Sequence, residues 1–125
     1  MNLKTFDHAT TRKYKRYPVI GITQHDGLIN IGKSASHTIG IKDMDQVKFH
    51  QDNEIPENWY IEVVQSGGII VRAKDGGHRL QSALLVREIG LSLGLRTNFQ
   101  MKVAMVPTIV DGRKLYGLFF NRYKD

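Results

Sequence analysis

Cysteine is absent from the 125 residues, which removes a disulfide framework and a thiolate nucleophile together. No early apolar run of roughly 7–15 residues marks a secretory signal, and no segment reaches the ~18 consecutive apolar residues of a spanning helix. A soluble, cytoplasmic protein with no membrane association is expected. No serine sits in a Gly-x-Ser-x-Gly elbow. The five histidines, His8, His25, His37, His50 and His78, are scattered, and none forms an i, i+4 pair with another ligand type on an expected helix. Asp43-x-Asp45 lacks the spaced oxygen ligands and terminal glutamate of a calcium loop. Asp75-Gly76-Gly77-His78-Arg79 is glycine-rich ahead of an expected helix, as phosphate cradles are, but it lacks Gly-Lys-Ser/Thr. No enzyme, metal or cofactor is expected from this inventory.

What is present is positive charge, unevenly spread. The net charge is +6. Residues 1–42 carry 7 Lys/Arg against 2 acids, residues 43–62 carry 1 against 6, and residues 63–125 carry 10 against 4. A basic surface attracts polyanions in a salt-dependent way, whereas Asp43, Asp45, Asp52, Glu54, Glu57 and Glu62 repel them. Any nucleic acid is expected to avoid that acidic middle.

At 41% apolar composition the chain has enough hydrophobic residues for one domain, or for two small halves around one core. Residues 1–16, with Arg12, Lys13, Lys15 and Arg16 around Tyr14, read as a basic flexible arm: a solvated tail, a phosphate-binding arm or an added strand. Residues 17–23 and 28–31 read as strands around a Gln24-His25-Asp26-Gly27 turn, because Asp-Gly supplies the positive φ of a hairpin. A short helix over 33–39 follows, then a strand over 46–50 and a polar loop over 52–58. Residues 59–65 and 69–74 alternate as two strands and are expected to form a hairpin through Ser66-Gly67-Gly68. Asp75-Gly76-Gly77 is the strongest break and is read as the boundary between halves 17–75 and 78–120. Ser82 is placed to N-cap a helix through Leu93 that Gly94 stops, with Arg87, Glu88 and Ser92 facing out. Strands are expected over 99–106 and 115–120, with Asp111-Gly112 as a turn.

Ile31-Gly32-Lys33-Ser34-Ala35-Ser36-His37-Thr38-Ile39-Gly40-Ile41-Lys42-Asp43-Met44-Asp45-Gln46-Val47-Lys48-Phe49 packs a strand end, a short helix, a glycine stop and a return strand into one stretch. It resembles the swapped-hairpin barrel family of bacterial AbrB, MazE and SpoVT-type DNA-binding domains. That family carries Gly-Arg-hydrophobic-x-Ile-Pro-Lys-x-hydrophobic-Arg-x-x-Leu-Gly-Ile-Lys-x-Gly-Asp-x-Val-x-Phe. Without a gap the pattern meets Gly27, Ile29, Ile31, Lys33, Ala35, Ile39, Gly40, Ile41, Lys42, Asp45, Val47 and Phe49. The family's proline is Gly32 here, its turn glycine is Met44, and its two DNA-facing arginines fall on Leu28 and Ser36.

Residues 39–49 can also be laid without a gap over residues 93–103, with the glycine, glutamine and lysine identical. The resemblance and the repeat together imply an α+β, mainly β fold: an AbrB-like swapped-hairpin barrel of two pseudo-equivalent halves, each with one helix. Val47/Phe49 and Phe99/Met101/Val103 are then expected to meet inside it. The function the resemblance implies is non-enzymatic DNA binding, regulatory in kind. Lys33, Lys42, Lys48, Arg79, Arg87, Arg96 and Lys102 would touch phosphates, and the arm Arg12, Lys13, Lys15, Arg16 would assist. The alternative is a protein-interaction or scaffold module that keeps the barrel without DNA binding. A monomeric pseudo-dimer and a homodimer both fit.

Overall fold

Alternating apolar residues dictate most of what the computed structural model contains, and it describes residues 17–120. The arm expected over 1–16, with Arg12, Lys13, Lys15 and Arg16, lies outside the described residues. β1 (Val19–Thr23) and β2 (Leu28–Ile31) form the first hairpin, with Ile20 facing Ile31 and Ile22 facing Ile29. All four isoleucines are at most 1% exposed, so each contributes ~1.5–3 kcal/mol relative to an exposed side chain.

α1 (Lys33–Ile39) and α2 (Ala83–Leu93) stop in the same way. Gly40 and Gly94 take left-handed φ values of 85° and 69°. The next amide in each case reaches back across the final turn, Ile41 N–H to the Ser36 carbonyl and Leu95 N–H to the Gly90 carbonyl. The starts differ. The Ser82 hydroxyl accepts from the Leu85 amide, whereas Gly32 offers α1 no side-chain cap. Ser92, expected to face outward, is half-buried, because its hydroxyl accepts the Trp59 indole N–H at 2.9 Å.

The remaining strands are β3 (Gln46–Gln51), β4 (Trp59–Val64), β5 (Ile69–Ile70), β6 (Arg72–Lys74), β7 (Gly77–Gln81), β8 (Phe99–Val103), β9 (Thr108–Val110) and β10 (Arg113–Phe119). They build one antiparallel sheet in the order β5-β3-β4-β10-β8-β1-β2-β7-β6, with β9 added to β10. β5 and β6 stand at opposite ends of that path yet are separated in sequence only by Val71. The Val71 amide donates to the Asp45 carbonyl and its carbonyl accepts from the Met44 amide, so the sheet nearly closes there into a barrel. The fold is thus mainly β, with two helices and a barrel-like sheet.

Two expectations are corrected by these pairings. The strand over 69–74 does not form a hairpin with β4, which pairs β3 and β10 instead; its own partners are β3 and β7. Asp75 and Gly76 turn β6 directly into β7, with Lys74 facing Gly77, so the break at Asp75-Gly76-Gly77 is a hairpin turn. It is not the lead-in to a helix that a phosphate cradle needs, since β7 intervenes before α2.

The pairing pattern has an internal two-fold relation. Exchanging β1 with β5/β6, β2 with β7, β3 with β8 and β4 with β10 turns each principal pairing into another of the set. Val47 faces Ile69 as Met101 faces Ile20. Trp59 faces Leu118 as Tyr116 faces Ile61. One core draws on both sides of this relation, including Ile39, Val47, Ile61, Leu93, Met101 and Leu118. Phe49 and Phe99 are only half-buried against it, and Phe99 meets Phe120 edge to face at 5.8 Å.

Candidate nucleic-acid interface

Successive strand residues point to opposite sides of a sheet. With Ile20, Ile22, Ile29, Ile31, Val71 and Leu80 turned inward, the outer face of β1-β2-β7-β6 presents Gly21, Thr23, Leu28, Asn30, Arg79, Gln81, Arg72 and Lys74. The registers Gly21↔Asn30, Asn30↔Arg79 and Arg79↔Arg72 place four of these in one row across the sheet.

Within that row Arg79 Nε donates to Asn30 Oδ1 at 2.8 Å, a bond that orients the guanidinium and does not use its terminal nitrogens. Arg72 lies directly opposite on β6, and its Nη1 makes one long contact, 3.4 Å, to Met44 Sδ. Like charges directly across a ladder cost ~0.2–1 kcal/mol. The ion pairs found among the described residues both fall on Glu62, so neither Arg72 nor Arg79 is directly paired with a described carboxylate. Two guanidiniums held in this way offer several N–H donors to one phosphate.

Lys33 and Lys74 join them at the turn. A Cβ built on Gly76 would lie 3.7 Å from Lys33 Cδ, so the Lys33 stem runs beside the β6–β7 hairpin. Lys42 is near but in mixed company. Its amide donates to Asp45 Oδ2, and in the same turn Asp43 Oδ1 accepts from the Ala73 amide of β6.

The other expected contacts are dispersed. Lys48 is on β3 opposite Glu62. Arg87 is on the exposed side of α2, and Arg96 is in the turn after it. Lys102 is on β8 with its Nζ over the Tyr17 ring, 5.0 Å from the centroid. Lys33, Lys42 and Arg79 are therefore gathered around β6 and β7, while Lys48, Arg87, Arg96 and Lys102 are not. Arg72 and Lys74 belong to the gathered group, although the sequence reading left them out. Their alternation with Val71 and Ala73 was the available signal.

The two places where the resembling family carries arginine fare differently. Leu28 faces outward on β2. Ser36 is 4% exposed, with its hydroxyl 2.9 Å from His78 Nδ1 and bonded to the Ile31 carbonyl. His78 therefore packs beneath α1 instead of joining the outer face.

A second polar cluster sits on the far wall. Glu62, 6% exposed on β4, accepts from Arg113 Nε at 2.8 Å and lies 2.8 Å from His50 Nε2. Burial pushes its carboxyl up, but hydrogen bonds from His50 and Arg113, with the attraction of both, outweigh burial and hold it below its usual range.

Among the described residues no three His, Asp or Glu side chains are grouped to hold a metal ion, and no helix is long and apolar enough to cross a membrane. Set against family models, curated proteins and solved structures, the chain matches none of them.

Proposed function

We propose that the outer face of β1-β2-β7-β6 binds duplex DNA, and that the chain is a non-enzymatic, regulatory DNA-binding protein of the bacterial cytoplasm. The observation that carries this reading is the facing pair Arg72 and Arg79, neither of them in an ion pair among the described residues, with Arg79 oriented by Asn30. Lys33 and Lys74 extend the charge along the hairpin, giving phosphate contacts on either side of a row able to reach base edges. The two-fold exchange of strand pairings supports a further part of the proposal, that this barrel is a tandem, single-chain form of the swapped-hairpin domains it resembles in sequence.

Anisotropy titrations with a labelled duplex at two salt concentrations test the reading. Affinity should fall as salt rises, with a log–log slope of ~0.9 per phosphate contacted. Arg72→Ala and Arg79→Ala should each weaken binding. No binding by the unaltered chain at low salt ends the proposal.

A second reading, a protein-interaction module, is favoured by one feature. Met105, Val106, Ile109 and Val110 expose apolar side chains along β9 and its approach, and among the described residues β9 pairs only with β10. Under that reading Ile109→Asp would abolish partner capture and leave DNA titrations untouched.

A further inference from the structure

The two-fold relation passes through the inward-facing pair Ile29 and Leu80, at the centre of the β2–β7 ladder. On either side of it lie two outward pairs, Leu28–Gln81 and Asn30–Arg79. The relation exchanges them, so Leu28 occupies the place of Arg79, and Gln81 the place of Asn30. One strand further out, Thr23 faces Leu28 as Arg72 faces Arg79. The equivalence extends to the helix starts. The β6–β7 turn rests on Lys33, the first residue of α1, and the β1–β2 turn rests on Ala83, the first residue of α2, where a Cβ on Gly27 would come within 2.9 Å of the Ala83 Cα.

The two ends of this face thus have equivalent strand pairings and different chemistry. One end presents Arg72, Arg79, Asn30 and Lys33. The other presents Thr23, Leu28, Gln81 and Ala83, with no charge among them. A homodimer built from one repeated half could not do this, because its symmetry would copy every side chain onto both ends and match it to a palindrome. Joining the halves in one chain frees each end to differ.

We propose, resting on the DNA-binding reading above, that the interface is one-sided: the Arg72/Arg79 end reads the duplex, the Leu28 end does not, and each chain occupies a single, directional half-site. The target is then non-palindromic, and one chain suffices for one site. Leu28 is the position at which the second end has no counterpart to Arg79.

Selection from a random-sequence duplex library with the full chain, followed by anisotropy on the selected duplex, tests this. The selected site should lack two-fold symmetry. Arg79→Ala and Asn30→Ala should weaken binding about tenfold, each removing one side of the oriented contact, in line with ~1–3 kcal/mol for a specific base contact. Gln81→Ala, on an exposed side chain, and Leu28→Ala should change it less than about twofold. Leu28→Arg should tighten binding and raise the salt slope by ~0.9. A palindromic consensus, or equal losses for Gln81→Ala and Asn30→Ala in variants whose thermal midpoints match the parent, overturns the one-sided reading while leaving DNA binding in place. Failure of the unaltered chain to bind any duplex at low salt overturns both.

Discussion

Arg113 holds Glu62 through two nitrogens, Nε to Oε2 at 2.8 Å and Nη2 to Oε1 at 3.3 Å, and so pins the start of β10 to β4. His50 completes the grip from β3. Three strands converge on one nearly buried carboxylate.

That carboxylate gives stability an acid limb. The lowered pKa of Glu62 means that its contribution is complete above the ordinary value, about 4.5, and is lost as pH falls through the lower folded value. Urea midpoints of the parent should therefore drop on acidification below about pH 4.5 more steeply than those of Glu62→Gln. Parallel curves for the two would disprove the assignment. Arg113→Ala should cost ~1–3 kcal/mol at neutral pH, toward the lower end because Arg113 is itself half-exposed.

Arg72→Ala should leave folding stability unchanged or raise it by up to ~1 kcal/mol, because it removes a like-charge pair across the β6–β7 ladder. The same substitution should weaken DNA binding. Thermal melts and anisotropy on one preparation check both halves of this expectation, and a destabilised Arg72→Ala would mean that the arginine is structural.

Two glycines should separate by mechanism. At Gly94 an added Cβ meets no neighbour, so Gly94→Ala should cost only the ~1–2 kcal/mol of a left-handed non-glycine residue. At Gly77 the added carbon would run into the Ile31 carbonyl oxygen and lie 3.0 Å from the Gly32 carbonyl carbon. Gly77→Ala should therefore cost more than Gly94→Ala and shift β7 against β2; equal melting temperatures would rule that out.

Core truncations should follow burial. Met101→Ala, at a fully enclosed position, should cost ~2–5 kcal/mol. Phe49→Ala and Phe99→Ala should fall short of the ~3–5 kcal/mol of enclosed phenylalanines, since both rings are half-buried. Chemical denaturation of the three variants gives the ranking.

Helix ends were legible in the sequence because their causes are local. Gly40, Gly94 and Ser82 act within a turn of where they stand, and the structure uses each as expected. Partners were harder to read. The strand over 69–74 looked like the second arm of a hairpin because Ser66-Gly67-Gly68 precedes it, but its hydrogen bonds go to β3 and β7. β7 itself was hidden, since Gly77-His78-Arg79-Leu80-Gln81 has one strongly apolar residue and owes its strand conformation to β2 on one side and β6 on the other. The candidate site shared that fate. Arg79 was legible as a basic residue, but that Arg72 faces it depends on the register of a hairpin the sequence pattern did not reveal.

The passage of the backbone through Val71 makes the segment 69–74 a stave shared by both ends of the wall. A protease cut at 66–68 would yield two pieces that each lack the strands needed to complete a ring. Either piece would need the other to complete the ring, so the two should refold together and neither alone.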